Sequence, residues 1–244
     1  FPVEYLMAPD EGHGFQRPVN NMALWAASEA FFAKHLGGRA QKEMTPEVSK
    51  RLGEITVDPK TVVLAKAVDP KSVEVPKPVS DLVAGVSSYQ ATIAMGPQNM
   101  AMTITRTVKD DGANWLINES AKMPMGEAID ETVVEKGTLL VKKRTIRQGP
   151  VAIDLAFEPM KVTGKMSMGG QERPISVDLD GPVFADGAGA NDVLARLPLA
   201  AGYSATFRNL DVQKQKVGLK QIKVVGAESI TGPAGTFEAW KAEV

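Results

Sequence analysis

Hydrophobic and polar positions alternate along this chain with two different periods. In the first 38 residues a short apolar strand (Val3, Tyr5, Leu6) leads into a turn-rich stretch, then into apolar positions at helical spacing. Trp25, Ser28, Phe32 and Leu36 form one stripe with Leu24, Ala27 and Phe31 beside it, which predicts an amphipathic helix over 21–36. Asn20 and Asn21, after Pro18, are its cap candidates, and Lys34, His35 and Gly37-Gly38 make a regular stop signal. So broad an apolar face is shaped to lie on a sheet, and a piece this short cannot bury it alone.

Residues 39–83 lose that order. They are polar, with prolines at 46, 59, 70, 76 and 78. A turn or two of helix is expected after Pro46, and Val73-Glu74-Val75-Pro76-Lys77-Pro78 reads as an extended linker. From about residue 84 the period becomes two. Strands are predicted at 86–95, 99–109, 114–121, 128–135, 138–147, 151–158, 161–168, 173–179, 203–211, 217–227 and 236–244. Their joints carry Gly96-Pro97, Asp110-Asp111-Gly112, Lys136-Gly137, Gly149-Pro150, Gly169-Gly170 and Gly181-Pro182. One short helix is expected over 190–197. Successive hairpins with a single helix argue for a curved antiparallel sheet or half-barrel rather than βαβ units.

Composition narrows the function classes. The formal net charge is −1, which supplies no field to attract nucleic acid or an anionic membrane. There are no cysteines, so disulfides, thiolate catalysis and cysteine-held zinc are excluded. No apolar run approaches the roughly 20 residues of a membrane-spanning helix. The chain opens on Phe1 in a buried-type strand and closes on alternating residues 236–244, so a fragment cut at both ends is expected.

The candidate chemistry lies in the first loop, Ala8-Pro9-Asp10-Glu11-Gly12-His13-Gly14-Phe15. A strand, a glycine-flanked histidine and a following helix is how α/β-hydrolases present the base of a catalytic triad. From Val3-Glu4-Tyr5-Leu6 to His35-Leu36-Gly37-Gly38-Arg39 the wording resembles the C-terminal end of prolyl oligopeptidase-family serine peptidases. That resemblance implies that His13 is the triad histidine and that neither Asp10 nor Glu11 is the triad acid. It also implies a peptide substrate for the parent enzyme, in a periplasmic or secreted setting. No Gly-x-Ser-x-Gly elbow occurs in the sequence, so the chain alone is expected to be inactive.

The β-rich region has its own landmarks: Gly85-Val86-Ser87-Ser88-Tyr89, Arg147-Gln148-Gly149-Pro150, and Leu197-Pro198-Leu199-Ala200-Ala201-Gly202-Tyr203. Val225-Gly226-Ala227-Glu228 and Pro233-Ala234-Gly235-Thr236-Phe237 complete them. They resemble a bacterial domain family of unknown function with a lipoprotein-carrier-like half-barrel. The alternative function is therefore a non-enzymatic β domain that binds a lipid or another hydrophobic ligand.

Methionines at 100 and 102, 123 and 125, and 166 and 168 form i, i+2 pairs, each on one strand face. They read as adaptable core filler, as a ligand lining, or as a soft-metal site, the last unsupported by any nearby histidine. Lys142, Lys143, Arg144 and Arg147 read as a solvated face that protects a sheet edge. Gly187-Ala188-Gly189-Ala190 lacks the lysine of a phosphate loop, and the aspartates at 178, 180, 186 and 192 lack calcium-loop spacing. No cofactor or metal is expected.

The organisation read from sequence is thus an α/β-hydrolase remnant over 1–38, a Pro-rich linker over 39–83, and a truncated half-barrel-like domain over 84–244. The fold class is mainly β.

Overall fold

The computed structural model describes residues 2–12, 14–63, 68–95, 98–123, 126–232 and 234–244. The chain forms two compact units, Phe1–Ala67 and Val68–Val244.

The first unit contains β1 (Tyr5–Leu6), α1 (Pro18–Leu36), α2 (Pro46–Ile55) and β2 (Thr56–Val57). β1 and β2 are antiparallel, with Tyr5 opposite Val57 and Leu6 opposite Thr56. α1 starts earlier than its apolar period suggests. Pro18 supplies a preset φ in the first turn, so Asn20 and Asn21 lie inside the helix rather than capping it. α2 is capped by Thr45, whose Oγ1 accepts from the Val48 amide. The buried cluster comprises Ala8, Ala23, Val48 and Ile55, with Leu6, Phe15, Val19 and Leu52 packed against it. The face of α1 in use is therefore the one bearing Val19, Asn20 and Ala23. Trp25, Phe32 and Leu36 stay 66%, 55% and 80% exposed.

The second unit is mainly β. Eight antiparallel strands follow one another in sequence order: β3 (Gly85–Met95), β4 (Gln98–Asp111), β5 (Asn114–Met123), β6 (Gly126–Glu135), β7 (Val141–Gln148), β8 (Val151–Glu158), β9 (Lys161–Met168) and β10 (Gln171–Asp178). β3 and β10 are the two edges, so the sheet stays open. A three-stranded sheet is built from β11 (Ser204–Asp211), β12 (Lys216–Gly232) and β13 (Gly235–Glu243). The two sheets are joined through residues 183 and 184: Phe184 bridges to Leu140 and Val183 bridges to Arg208.

The core lies on one face of the eight-stranded sheet. Trp115, Ile117, Val134, Leu155 and Phe157 alternate with outward residues, as period two requires. Against them packs the segment after β10, with Leu179, Phe184, Val193 and Leu194, including the short α3 (Ala190–Leu194). Phe207, Leu210 and Ile222 close the cluster from the small sheet.

Residues 70–83 are fastened to this unit as a strap. The buried Arg208 donates to the carbonyls of Pro70 (2.5 Å) and Val73 (3.0 Å). The Val79 amide donates to the Arg196 carbonyl. Asp81 accepts from the Trp115 indole at 2.5 Å and from the Gly137 amide at 3.0 Å, and Leu82 enters the core.

Candidate functional site

Two places gather polar side chains. The first is the loop between β1 and α1. His13, the predicted triad base, lies outside the described residues; the walls of its loop do not. Gly12 and Gly14 bridge to each other, and Gly14 holds φ of +82°. The buried Asn20 amide donates to Glu11 at 2.8 Å, and Glu11 also accepts from the Arg17 amide at 2.9 Å. Arg51, on α2, donates through Nε to Asn20 Oδ1 at 2.6 Å, and its Nη2 pairs with Asp10. Asn21 donates to the Phe15 carbonyl at 3.0 Å.

The loop is therefore tied to both helices from either side of its apex. The Asn20 hydrogen bond, then the Arg17 amide, holds the Glu11 carboxyl below its ordinary range despite some desolvation. Desolvation acts against ionisation at Asp10 as well, but its own amide, Arg51 and Arg17 prevail and lower it. Both carboxylates are thus engaged by donors that fix the loop.

Apolar hollows flank α1. One of about 580 Å³ lies beside Met22, Trp25, Phe32 and Met44, and one of about 390 Å³ beside Leu6, Phe15, Leu24 and Phe31.

The second place is the inner face of the large sheet. Arg144 makes a two-pronged contact with Asp130, Nε to Oδ1 at 3.2 Å and Nη2 to Oδ2 at 2.7 Å. Its Nη1 reaches Asp186 at 3.1 Å. β7 is an interior strand, so the basic run at 142–147 protects no edge, and Arg144 is drawn inward by two carboxylates. Asp186 Oδ1 also accepts from the Gly187 amide and from Asn209, each at 3.0 Å. Burial pushes the Asp186 carboxyl up, and Arg144 opposes this only in part.

The glycine-rich stretch is a packing device. Gly187 holds φ of +73°, and a Cβ there would meet Thr132 Oγ1 and come within 2.6 Å of Arg144 Nε. A parallel cluster joins Arg106 to Glu119 at 2.7 Å and Asp192 at 3.1 Å. These ion pairs bind the 186–192 segment to the sheet. The contacts to Asp186 and Asp192 could not be found from spacing, because they join residues 42 and 86 apart, whereas Arg106 and Glu119 face each other across one hairpin.

Of the paired methionines, Met102 and Met166 are half-buried and Met168 is exposed; Met125 lies outside the described residues. The hollow beside Met166, Met168, Gln171 and Arg173 is about 40 Å³, close to the share of a single water. Among the described residues no group of three His, Cys, Asp or Glu side chains could hold a metal. No described helix is long and apolar enough to cross a membrane.

A family model described as "Protein of unknown function (DUF3108)" matches residues 87–244. The chain belongs to this family. The match covers β3 to β13 and begins just after the strap. A different relative matches over 40 residues at 60% identity: dipeptidyl aminopeptidase BIII of Pseudoxanthomonas mexicana. That stretch is 16% of this chain and 6% of the relative, so the chain spans only a small part of that enzyme's length. No solved structure matches the chain.

Proposed function

We propose that the first unit is the C-terminal piece of a serine peptidase of the prolyl oligopeptidase family, carrying the triad histidine His13 but not the nucleophile. The observation that carries this reading is the unused stripe of α1. Trp25, Phe32 and Leu36 stand exposed on a helix whose opposite face is already packed, which is the form of a helix made to cover a sheet. The 40-residue likeness to a dipeptidyl aminopeptidase supports it.

In this role His13 takes the serine proton during attack and returns it to the leaving amine. An acid from the rest of the peptidase domain fixes its tautomer. Asp10 and Glu11 are unsuited to that task because Arg51, Arg17 and Asn20 already hold them. Their task is to hold the loop segments that flank the base. The chain by itself has a base with nothing to deprotonate and does not hydrolyse peptides.

The test is a transplant. Residues 1–38 replace the corresponding segment of the dipeptidyl aminopeptidase, and hydrolysis of a dipeptidyl-nitroanilide is measured. The chimera is expected to keep activity, and His13→Ala in it to lower kcat by about 10⁴-fold or more. A folded but inactive chimera, or one indifferent to His13→Ala, overturns the proposal.

A further inference from the structure

The loop that carries His13 is braced from outside the stretch that resembles a peptidase. That stretch runs from Val3 to Arg39, and Arg51 lies beyond it, on α2. Nε and Nη2, which share one edge of the Arg51 guanidinium, reach two elements at once. Nε donates to Asn20 Oδ1 on α1 at 2.6 Å, and Nη2 pairs with Asp10 in the loop. The Asn20 amide carries the contact onward, to Glu11 at 2.8 Å and to Asp10 at 3.4 Å. Asp10 and Glu11 stand directly before Gly12-His13-Gly14 in the chain. The remaining arm of Arg51, Nη1, is met by Glu54 one turn along α2 at 3.2 Å.

From this geometry we infer that Arg51 is a positioning residue of the peptidase site, acting on the His13 loop through Asp10 and Asn20. The inference rests on the peptidase reading of the first unit and adds a part to it: α2, which follows the resembling stretch, belongs to the machinery of the site.

Two features separate this role from a mere fastening of the fold. First, α2 is attached by other means. Val48 and Ile55 are buried with Ala8 and Ala23, β2 pairs with β1, and the Met7 amide donates to the Ile55 carbonyl at 2.8 Å. Arg51 instead directs its donors at the loop and at the residue that bonds the loop. Asn20 is fully buried, so its Oδ1 needs a donor, and the guanidinium is that donor. Second, the contact is planar and two-pointed. A lysine would supply charge at a single point and could not keep two acceptors in a fixed relation. Such rigidity matters where a reacting group must be placed closely, since a misplacement of about 1 Å can cost about 10²-fold in rate.

The experiment joins the full 244-residue chain to dipeptidyl aminopeptidase BIII, in place of the segment it resembles and all that follows that segment. Hydrolysis of a dipeptidyl-nitroanilide is then measured. Arg51→Met should lower kcat per folded molecule by about 10- to 100-fold and leave KM within about twofold, and Arg51→Lys should recover part of the loss. The losses from Asp10→Ala and Arg51→Met should not add in the double variant, because the two side chains act as one unit. Full kcat in folded Arg51→Met, in a fusion that His13→Ala inactivates, overturns the inference and leaves the peptidase reading standing. A folded fusion that is inactive, or indifferent to His13→Ala, overturns both. Where the fusion does not fold, the chain alone decides. The Arg17 amide, which donates to Glu11, should exchange its hydrogen faster in Arg51→Met than in wild type, and equal rates overturn the inference.

Discussion

Replacing Asp186 by asparagine should leave the β unit as stable as wild type or more so at neutral pH, whereas alanine should damage it. Asp186 is 5% exposed, and its Oδ1 receives three donors: Arg144 Nη1, the Gly187 amide and Asn209 Nδ2. Its Oδ2 is buried with no donor, and so is Thr132 Oγ1 nearby. Arg144 already answers Asp130, so two carboxylates share one buried cation. Asparagine keeps the oxygen for all three donors, removes the surplus charge and puts an N–H₂ where no donor was needed. The net change is expected to lie within about 1 kcal/mol of zero or on the stabilising side.

Alanine strands three donors at once, one of them cationic, and should cost about 2–4 kcal/mol. The pH dependence gives a sharper test. Folding raises the Asp186 carboxyl above its ordinary 3.8, so its protonated form is the one favoured in the fold. The wild-type stability from this group is complete below that ordinary value and declines as pH rises through the raised folded value. The asparagine variant lacks that decline, so its advantage over wild type must grow from acid toward neutral pH. Urea unfolding read from Trp115 fluorescence isolates the β unit once Trp25→Phe and Trp240→Phe silence the other indoles, both of which are exposed. An asparagine variant as unstable as alanine at neutral pH would refute the reasoning, and so would a difference between Asn and wild type that is flat with pH.

Other consequences follow from the same structure. Asp81→Ala removes the acceptor for the Trp115 indole and the Gly137 amide, so it should cost about 1–3 kcal/mol and speed hydrogen exchange across 70–83. Unchanged exchange there would mean that Arg208, the Val79–Arg196 hydrogen bond and Leu82 hold the strap without Asp81. Gly187→Ala should destabilise the β unit by about 1–3 kcal/mol, because a Cβ meets Thr132 and Arg144 at a positive φ. A urea midpoint equal to wild type would contradict that packing. In the first unit, folding lowers Asp10 and Glu11, so the order they lend to the loop is present above the ordinary carboxylate range and is lost as pH falls through the lowered values. The protection factor of the Arg17 amide, its exchange relative to the intrinsic rate at each pH, should fall at acid pH in wild type but be low at every pH in Asn20→Ala.

The β architecture was legible because its signals are local. Strands at 151–158 and 161–168 coincide with β8 and β9, and the hairpin glycines at 112, 137, 149 and 169 sit at positive φ. Period two and turn residues suffice to draw a meander. What escaped was the destination of polar side chains. Arg144 read as one of four exposed cations, since nothing nearby in sequence announces Asp186. Asp81 looked like linker, because its partners Trp115 and Gly137 come much later in the chain. At α1 the apolar stripe was read correctly as a stripe, but Asn20 on the other face proved to be the buried residue, held there by Glu11 and Arg51.

The meander also sets an order of events during synthesis. Each strand from β3 to β10 pairs with its predecessor, so the sheet can grow one hairpin at a time with short loops to close. Its inner face gains cover only when residues 179–210 return across it with Phe184, Leu194 and Phe207. A nascent chain that stalls near residue 178 therefore displays an almost complete sheet with Ile117, Val134, Leu155 and Phe157 still wet. The hazard of misassembly for this protein is concentrated in that interval, and chaperone capture should peak there and end as β11 emerges.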